Sequence, residues 1–208
     1  MHIQRPLFIV LEGIDGSGKS TQARLLEDRL LALGLQCHRT FEPTDNKIGR
    51  LIRSVIRQEE KLNPETLAAL FVADRLDHIL DANYGMKAQL AQGRHVVCDR
   101  YYFSSYAYHS LDVPMQWVIQ SNSLCAELLK PDIIFFIDVD PALSMQRIAN
   151  NREQNDLFET QAQLEKIRAN YLKAIALKKE DEHIVFINGN QTESAIHTEI
   201  MTYLTAMK

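Results

Sequence analysis

Short apolar runs and longer amphipathic periods take turns along the chain. The runs Leu7–Leu11, Gln36–Phe41, His95–Cys98, Ile133–Val139 and Ile184–Ile187 are apolar or β-branched enough to lie inside a sheet. Between them, Ala23, Leu26, Leu30 and Leu33 recur at i, i+3, i+7 and i+10 and stop at Gly34, which predicts a helix closed by a left-handed residue. Asn63 and Pro64 read as the cap and first turn of another helix. Further helical periods cover Gln116–Leu129, Ala142–Ile148, Leu164–Ile175 and Ser194–Leu204. The alternation predicts an α/β architecture, a five-stranded parallel sheet with helices on both faces. No linker, repeat or low-complexity tract interrupts it, so residues 1–208 read as a single domain.

Composition narrows the partners. The chain has 208 residues, 46% of them apolar, enough for a sizeable core. Lys and Arg number 23 against 27 Asp and Glu, so a net charge of −4 gives no case for a nucleic-acid or acidic-membrane partner. Any recognition of phosphate must be local. Cys37, Cys98 and Cys125 form no CxxC pair and read as reduced, buried thiols of a cytoplasmic protein. The Leu7–Leu11 run is too short for a signal-peptide core or a membrane span.

The chemistry begins directly after the first strand. Gly13-Ile14-Asp15-Gly16-Ser17-Gly18-Lys19-Ser20 satisfies GxxxxGK[ST] and opens the Ala23–Leu33 helix, the context that a phosphate-binding P-loop requires. Its glycines let backbone N–H groups turn inward, and the helix start adds a field favourable to anions. Lys19 can reach the β- and γ-phosphates of a bound triphosphate, and the Ser20 hydroxyl can ligate Mg²⁺. Such a loop serves kinases, GTPase switches and motors alike, so the acceptor side has to decide.

On the helix starting at Pro64, a turn of 100° per residue puts Val72, Ala73, Leu76, Ile79 and Leu80 on one apolar face. Phe71, Arg75 and His78 share the other side, a platform for a planar hydrogen-bonding ligand. The competing reading packs Phe71 on Leu67 under a neighbouring loop. The third strand runs into Asp99 and Arg100 at the carboxyl edge of the sheet, where a carboxylate can hold magnesium's water shell and a guanidinium can clamp a phosphate. Without the P-loop these two would read as a surface ion pair.

In order along the chain stand GIDGSGKST at 13–21, EPT at 42–44, LFVADR at 70–75 followed by His78, DRYYFSSYAY at 99–108, PDIIFFIDVDP at 131–141 and IRANYL at 167–172. This set resembles the thymidylate kinases over nearly the whole chain. The resemblance implies a three-layer P-loop NTPase fold with a short closing lid at about residues 149–160. It implies transfer of a phosphoryl group from ATP to dTMP, with Mg²⁺ and a homodimer. Gly13, Ile14, Asp15, Gly16, Ser17, Gly18, Lys19, Ser20 and Thr21 would then hold ATP, with Ser20 and Asp99 at the metal. Phe71 would stack on thymine, Arg75 would donate to its exocyclic oxygen, Arg100 would meet the acceptor phosphate and Ser105 the base edge. Tyr108 would pack where a ribose carries its 2′-hydroxyl, and Asp15 and Glu42 match acids associated with magnesium or the sugar 3′-hydroxyl.

Two departures matter. Phe41 stands where many relatives carry a basic residue before the glutamate, and the P-loop stretch Asp15-Gly16-Ser17 lacks the arginine that some relatives have. Transition-state charge is therefore expected from the lid, with Arg152 on the transferring group and Arg147 on the nucleotide. The alternative leaves both as solvated cations on a loop. Rival functions are another nucleoside or nucleoside-monophosphate kinase and a non-catalytic nucleotide-binding module. A GTPase is disfavoured because Asn46-Lys47-Ile48-Gly49 lacks the aspartate of NKxD.

Overall fold

The protein is described here by a computed structural model covering residues 5–151 and 160–207. Five parallel strands lie side by side in the order β2-β3-β1-β4-β5. They are β1 (Phe8–Glu12), β2 (Cys37–Phe41), β3 (His95–Asp99), β4 (Ile133–Asp138) and β5 (Ile184–Asn188). Each falls within a residue or two of its expected run.

The pleat sorts β1 onto two faces. Phe8 and Val10 join Val96, Cys98, Ile134 and Phe136 in one core, beneath α3 (Pro64–Leu80), α5 (Tyr102–Tyr108) and α9 (Gln161–Lys178). Ile9 and Leu11 join Val97, Phe135 and Ile137 in the other, beneath α1 (Lys19–Ala32) and α10 (Glu193–Ala206). This is the expected three-layer P-loop NTPase architecture. The alternation also sets the site, because β1 is central and its carboxyl end faces Asp99 of β3 on one side and Phe136 of β4 on the other.

The predicted 116–129 helix is two helices, α6 (Met115–Ser121) and α7 (Ser123–Leu128), parted at Asn122. The Asn122 carboxamide turns inward, donating to Val118 O at 2.8 Å and accepting from Arg75. Leu80 is 53% exposed at the end of α3 rather than on its buried face. Asp74 is buried instead, because its carboxylate caps Thr44 through the backbone N at 2.8 Å and Oγ1 at 2.6 Å.

Helices α2 (Lys47–Ile56), α4 (Met86–Ala91) and α5 were not foreseen. Residues 102–107 of α5 are buried all round, so it carries no amphipathic period to read. Helix α8 (Pro141–Asn151) follows β4, and a Thr160–Gln163 capping box starts α9, which leads to the edge strand β5. Cys98 and Cys125 are buried as expected, whereas Cys37 is half-buried.

Candidate active site

Glu12 ends β1, and the chain then bends through the P-loop into α1. Gly13 has φ 148°, and a Cβ there would stand 2.6 Å from Ile137 O, so β4 approaches too closely for any side chain. Gly16, at φ 73°, is packed as tightly against Ser144 O. Lys19 is buried under this loop and donates to Ile14 O at 2.8 Å and to Ser17 Oγ at 3.3 Å. Burial lowers its ammonium pKa to about 8, with Arg100 contributing in the same direction.

Around the loop opens a cavity of about 450 Å³, lined by residues 15–22, Asp99, Arg100, Arg147 and the 191–193 segment. Arg147 reaches it from α8 and donates to Gln191 O at 3.1 Å. Ser20 Oγ donates to Asp99 Oδ2, while Asp99 Oδ1 is buried with no partner among the described residues. Gly13 and Ile14 shape the loop without lining the cavity.

A second cavity of about 450 Å³ lies across the carboxyl edge of β1 and β3. Asp15, Glu42, Phe71, Arg75, Arg100, Ser105 and Tyr108, the whole set expected at the acceptor, line it together. Leu67 stands beside Phe71 on the same wall, and the Phe71 ring meets His109 edge-on, centroids 4.7 Å apart at 62°.

Arg75 is almost fully buried. Its Nε and Nη2 hold Glu42 Oε2 at 2.7 and 2.6 Å, Nη2 also donates to Ser105 Oγ at 3.1 Å, and Nη1 donates to Asn122 Oδ1. His78 is not part of the platform. Its ring sits deeper, between Thr40 Oγ1 at 2.7 Å and Glu42 Oε1 at 3.1 Å, and outside the cavity lining. Phe41, in place of the absent base, lies under the Arg53 guanidinium at 6.0 Å, and Arg53 donates to Pro43 O at 2.6 Å, bracing the turn after Glu42.

Arg100 and Asp15 line both cavities and form an ion pair with each other. Arg100 has φ 71°, unusual for a residue with a side chain, and its guanidinium lies 4.8 Å from the centre of the Tyr108 ring. The Tyr108 hydroxyl accepts from Asp15 N at 3.0 Å and Arg100 at 3.2 Å. The site therefore holds two cavities of similar size that meet at the Asp15–Arg100 pair.

The sequence profile of the thymidylate kinases matches residues 11–200. The chain belongs to the thymidylate kinase family. The thymidylate kinase of Leptospira interrogans serogroup Icterohaemorrhagiae serovar copenhageni is 33% identical over 209 aligned positions, covering 100% of this chain and 98% of the relative. Probable thymidylate kinases of Methanocaldococcus jannaschii and Thermococcus kodakarensis are 37% and 35% identical, and each alignment spans at least 95% of both chains. Like the family, the enzyme is an ATP-dependent nucleoside monophosphate kinase that converts dTMP to dTDP. The rival kinase and binding-module readings are not favoured.

Among the expected thymidylate kinase residues, Arg152 lies outside the described residues. Glu12, His109 and Asn122 were not anticipated. His109 directly follows the DRYYFSSYAY segment, a signal available in hindsight, and burial followed by Arg75 lowers its pKa to about 4, so its imidazole is neutral near pH 7. Nothing local marks Asn122.

Proposed function

We propose that ATP occupies the P-loop cavity, dTMP occupies the second, and the phosphoryl group crosses between them at Arg100. The observation that carries this reading is that Asp15 and Arg100 alone of the loop and strand-edge charges border both chambers. Phe71 stacks on thymine, Arg75 and Ser105 meet its edge, and Tyr108 fills the space that a 2′-hydroxyl needs. Glu42 holds Arg75 in place, and Asp15 reaches the sugar. The attacking phosphate oxygen is already an anion, so positioning and charge neutralisation supply catalysis rather than a general base. Lys19 serves the transferring group, Arg147 the adenine nucleotide, and Arg152, on a lid at about residues 149–160, the transition-state charge.

Magnesium fits the donor set, since Ser20 Oγ and the unpartnered Asp99 Oδ1 are hard oxygen ligands at the cavity floor. When bound, the ion would neutralise charge between the β- and γ-phosphates. We read residues 1–208 as one cytoplasmic domain, its unpaired thiols suiting a reducing compartment. No helix among the described residues is long and apolar enough to cross a membrane. A homodimer is supported by exposed Leu51, Leu80, Trp117 and Leu124, carried on α2, α3, α6 and α7, with α3 packing against the other three.

The test is ADP release with dTMP, dUMP, UMP and thymidine as acceptors. Turnover is expected to be highest with dTMP and lowest with thymidine and UMP. Rates on UMP equal to those on dTMP would remove the assignment of Tyr108.

A further inference from the structure

Glu12 is a carboxylate with 1% of its surface exposed, and it lines neither nucleotide cavity. Whatever it contributes to the reaction must pass through other groups. Its Oε1 accepts from Tyr101 N at 2.9 Å and Ser104 N at 3.1 Å. Its Oε2 accepts from Ser104 Oγ at 2.6 Å and from the Tyr171 hydroxyl at 3.0 Å. Burial raises its pKa, and the donors from Ser104 and Tyr101 oppose that rise.

These partners bracket the two halves of the site. Tyr101 N belongs to the peptide immediately after Arg100, so its bond fixes how the chain leaves the left-handed turn at φ 71°. Such a backbone persists in a residue with a side chain only where the surroundings over-determine it. Ser104 Oγ also lies 3.3 Å from an Arg100 terminal nitrogen, and the Tyr171 hydroxyl lies 3.2 Å from Gly13 O, the first carbonyl of the P-loop. The Ser104 and Tyr171 hydroxyls are 2.7 Å apart, which joins both arms at one carboxylate.

We propose that Glu12 is a positioning residue that holds Arg100 and the first P-loop glycine in one fixed geometry, so that the acceptor phosphate meets the loop-bound donor in line. The inference rests on the assignment of Arg100 to the acceptor phosphate. A role confined to filling the core would change stability without separating the two substrates.

The experiment is steady-state kinetics on Glu12→Ala, Glu12→Gln, Arg100→Ala and the Glu12→Ala/Arg100→Ala double variant. Glu12→Ala is expected to lower kcat/KM for dTMP by about 10- to 100-fold, the scale of a small misplacement at a reacting centre, while KM for ATP moves less than about threefold. Glu12→Gln keeps an acceptor oxygen for both N–H groups and should recover most of the loss. In the Arg100→Ala background, Glu12→Ala should cost less than about threefold, because residues acting through one another are not additive. A full loss again in that background, an equal rise in both KM values, or a Gln variant as impaired as Ala would overturn the proposal. If Arg100→Ala alone leaves kcat/KM for dTMP unchanged, the Arg100 assignment itself falls and the proposal with it. Should Glu12→Ala fail to fold, Glu12→Asp, which draws the carboxylate back from the two N–H groups, must show the same selective loss.

Discussion

Lys19 is buried beneath the phosphate loop, so its charge depends on whether the loop holds an anion. In the empty loop its pKa is about 8, lowered by burial and then by Arg100 against the opposing pull of Asp15, Asp99 and Glu12. A bound triphosphate adds negative charge and raises it again. The sign follows from the two states: below about pH 7 both are protonated, while above about pH 8 only the complex keeps the proton. Binding of a non-hydrolysable ATP analogue should therefore take up close to one proton at pH 9, none at pH 6, and weaken as pH rises through 8. Calorimetry in two buffers of different ionisation enthalpy measures this, and uptake that does not vary with pH would contradict it. Arg75 shows what helical-wheel reasoning can and cannot reach. Its side of α3 was legible, but its partners Glu42 and Asn122 are 33 and 47 residues away, so its commitment to a buried ion pair was not. Arg75→Ala leaves the buried Glu42 carboxylate without its guanidinium, with the His78 ring at Oε1 as its remaining side-chain partner. It should cost about 3–5 kcal/mol in denaturant unfolding and raise KM for dTMP far more than for ATP.

Among the elements, the inner strands β1, β3 and β4 were readable because a buried parallel strand must be a short apolar run, while the edge strands β2 and β5 are only part-buried and were read from their β-branched and apolar residues. The P-loop was readable because glycines at closely packed, positive-φ positions have few substitutes. Helix α5 was not, since a helix buried on all sides loses its period, and on α3 the apolar period placed Leu80 inside, where it is exposed, and gave no sign that Asp74 is buried. That aspartate anchors the turn carrying Glu42 into the acceptor cavity. Asp74→Ala should remove two hydrogen bonds and destabilise the fold by about 1–3 kcal/mol, with a larger rise in KM for dTMP than for ATP. Thermal unfolding with paired kinetics separates the two effects, and an unchanged dTMP KM would detach the turn from the site.

For the whole molecule, the order β2-β3-β1-β4-β5 brings the P-loop and the Asp99-Arg100 edge together at neighbouring strand ends, which is why two segments more than 80 residues apart could be paired from the sequence. Exposed side chains are harder to read, because nothing in an apolar residue's identity says which surface it faces. If α3 and α7 meet a second copy, Leu80→Glu with Leu124→Glu should halve the mass measured by sedimentation without unfolding the chain. A mass unchanged from wild type would place the association surface elsewhere.

The Asp15–Arg100 pair has a consequence for the order of events. A carboxylate from the same chain already engages the guanidinium that the proposed function gives to the incoming monophosphate. On the proposed assignment, substrate capture would exchange one anion for another, and the released aspartate would become available to the sugar only after the phosphate has taken its seat.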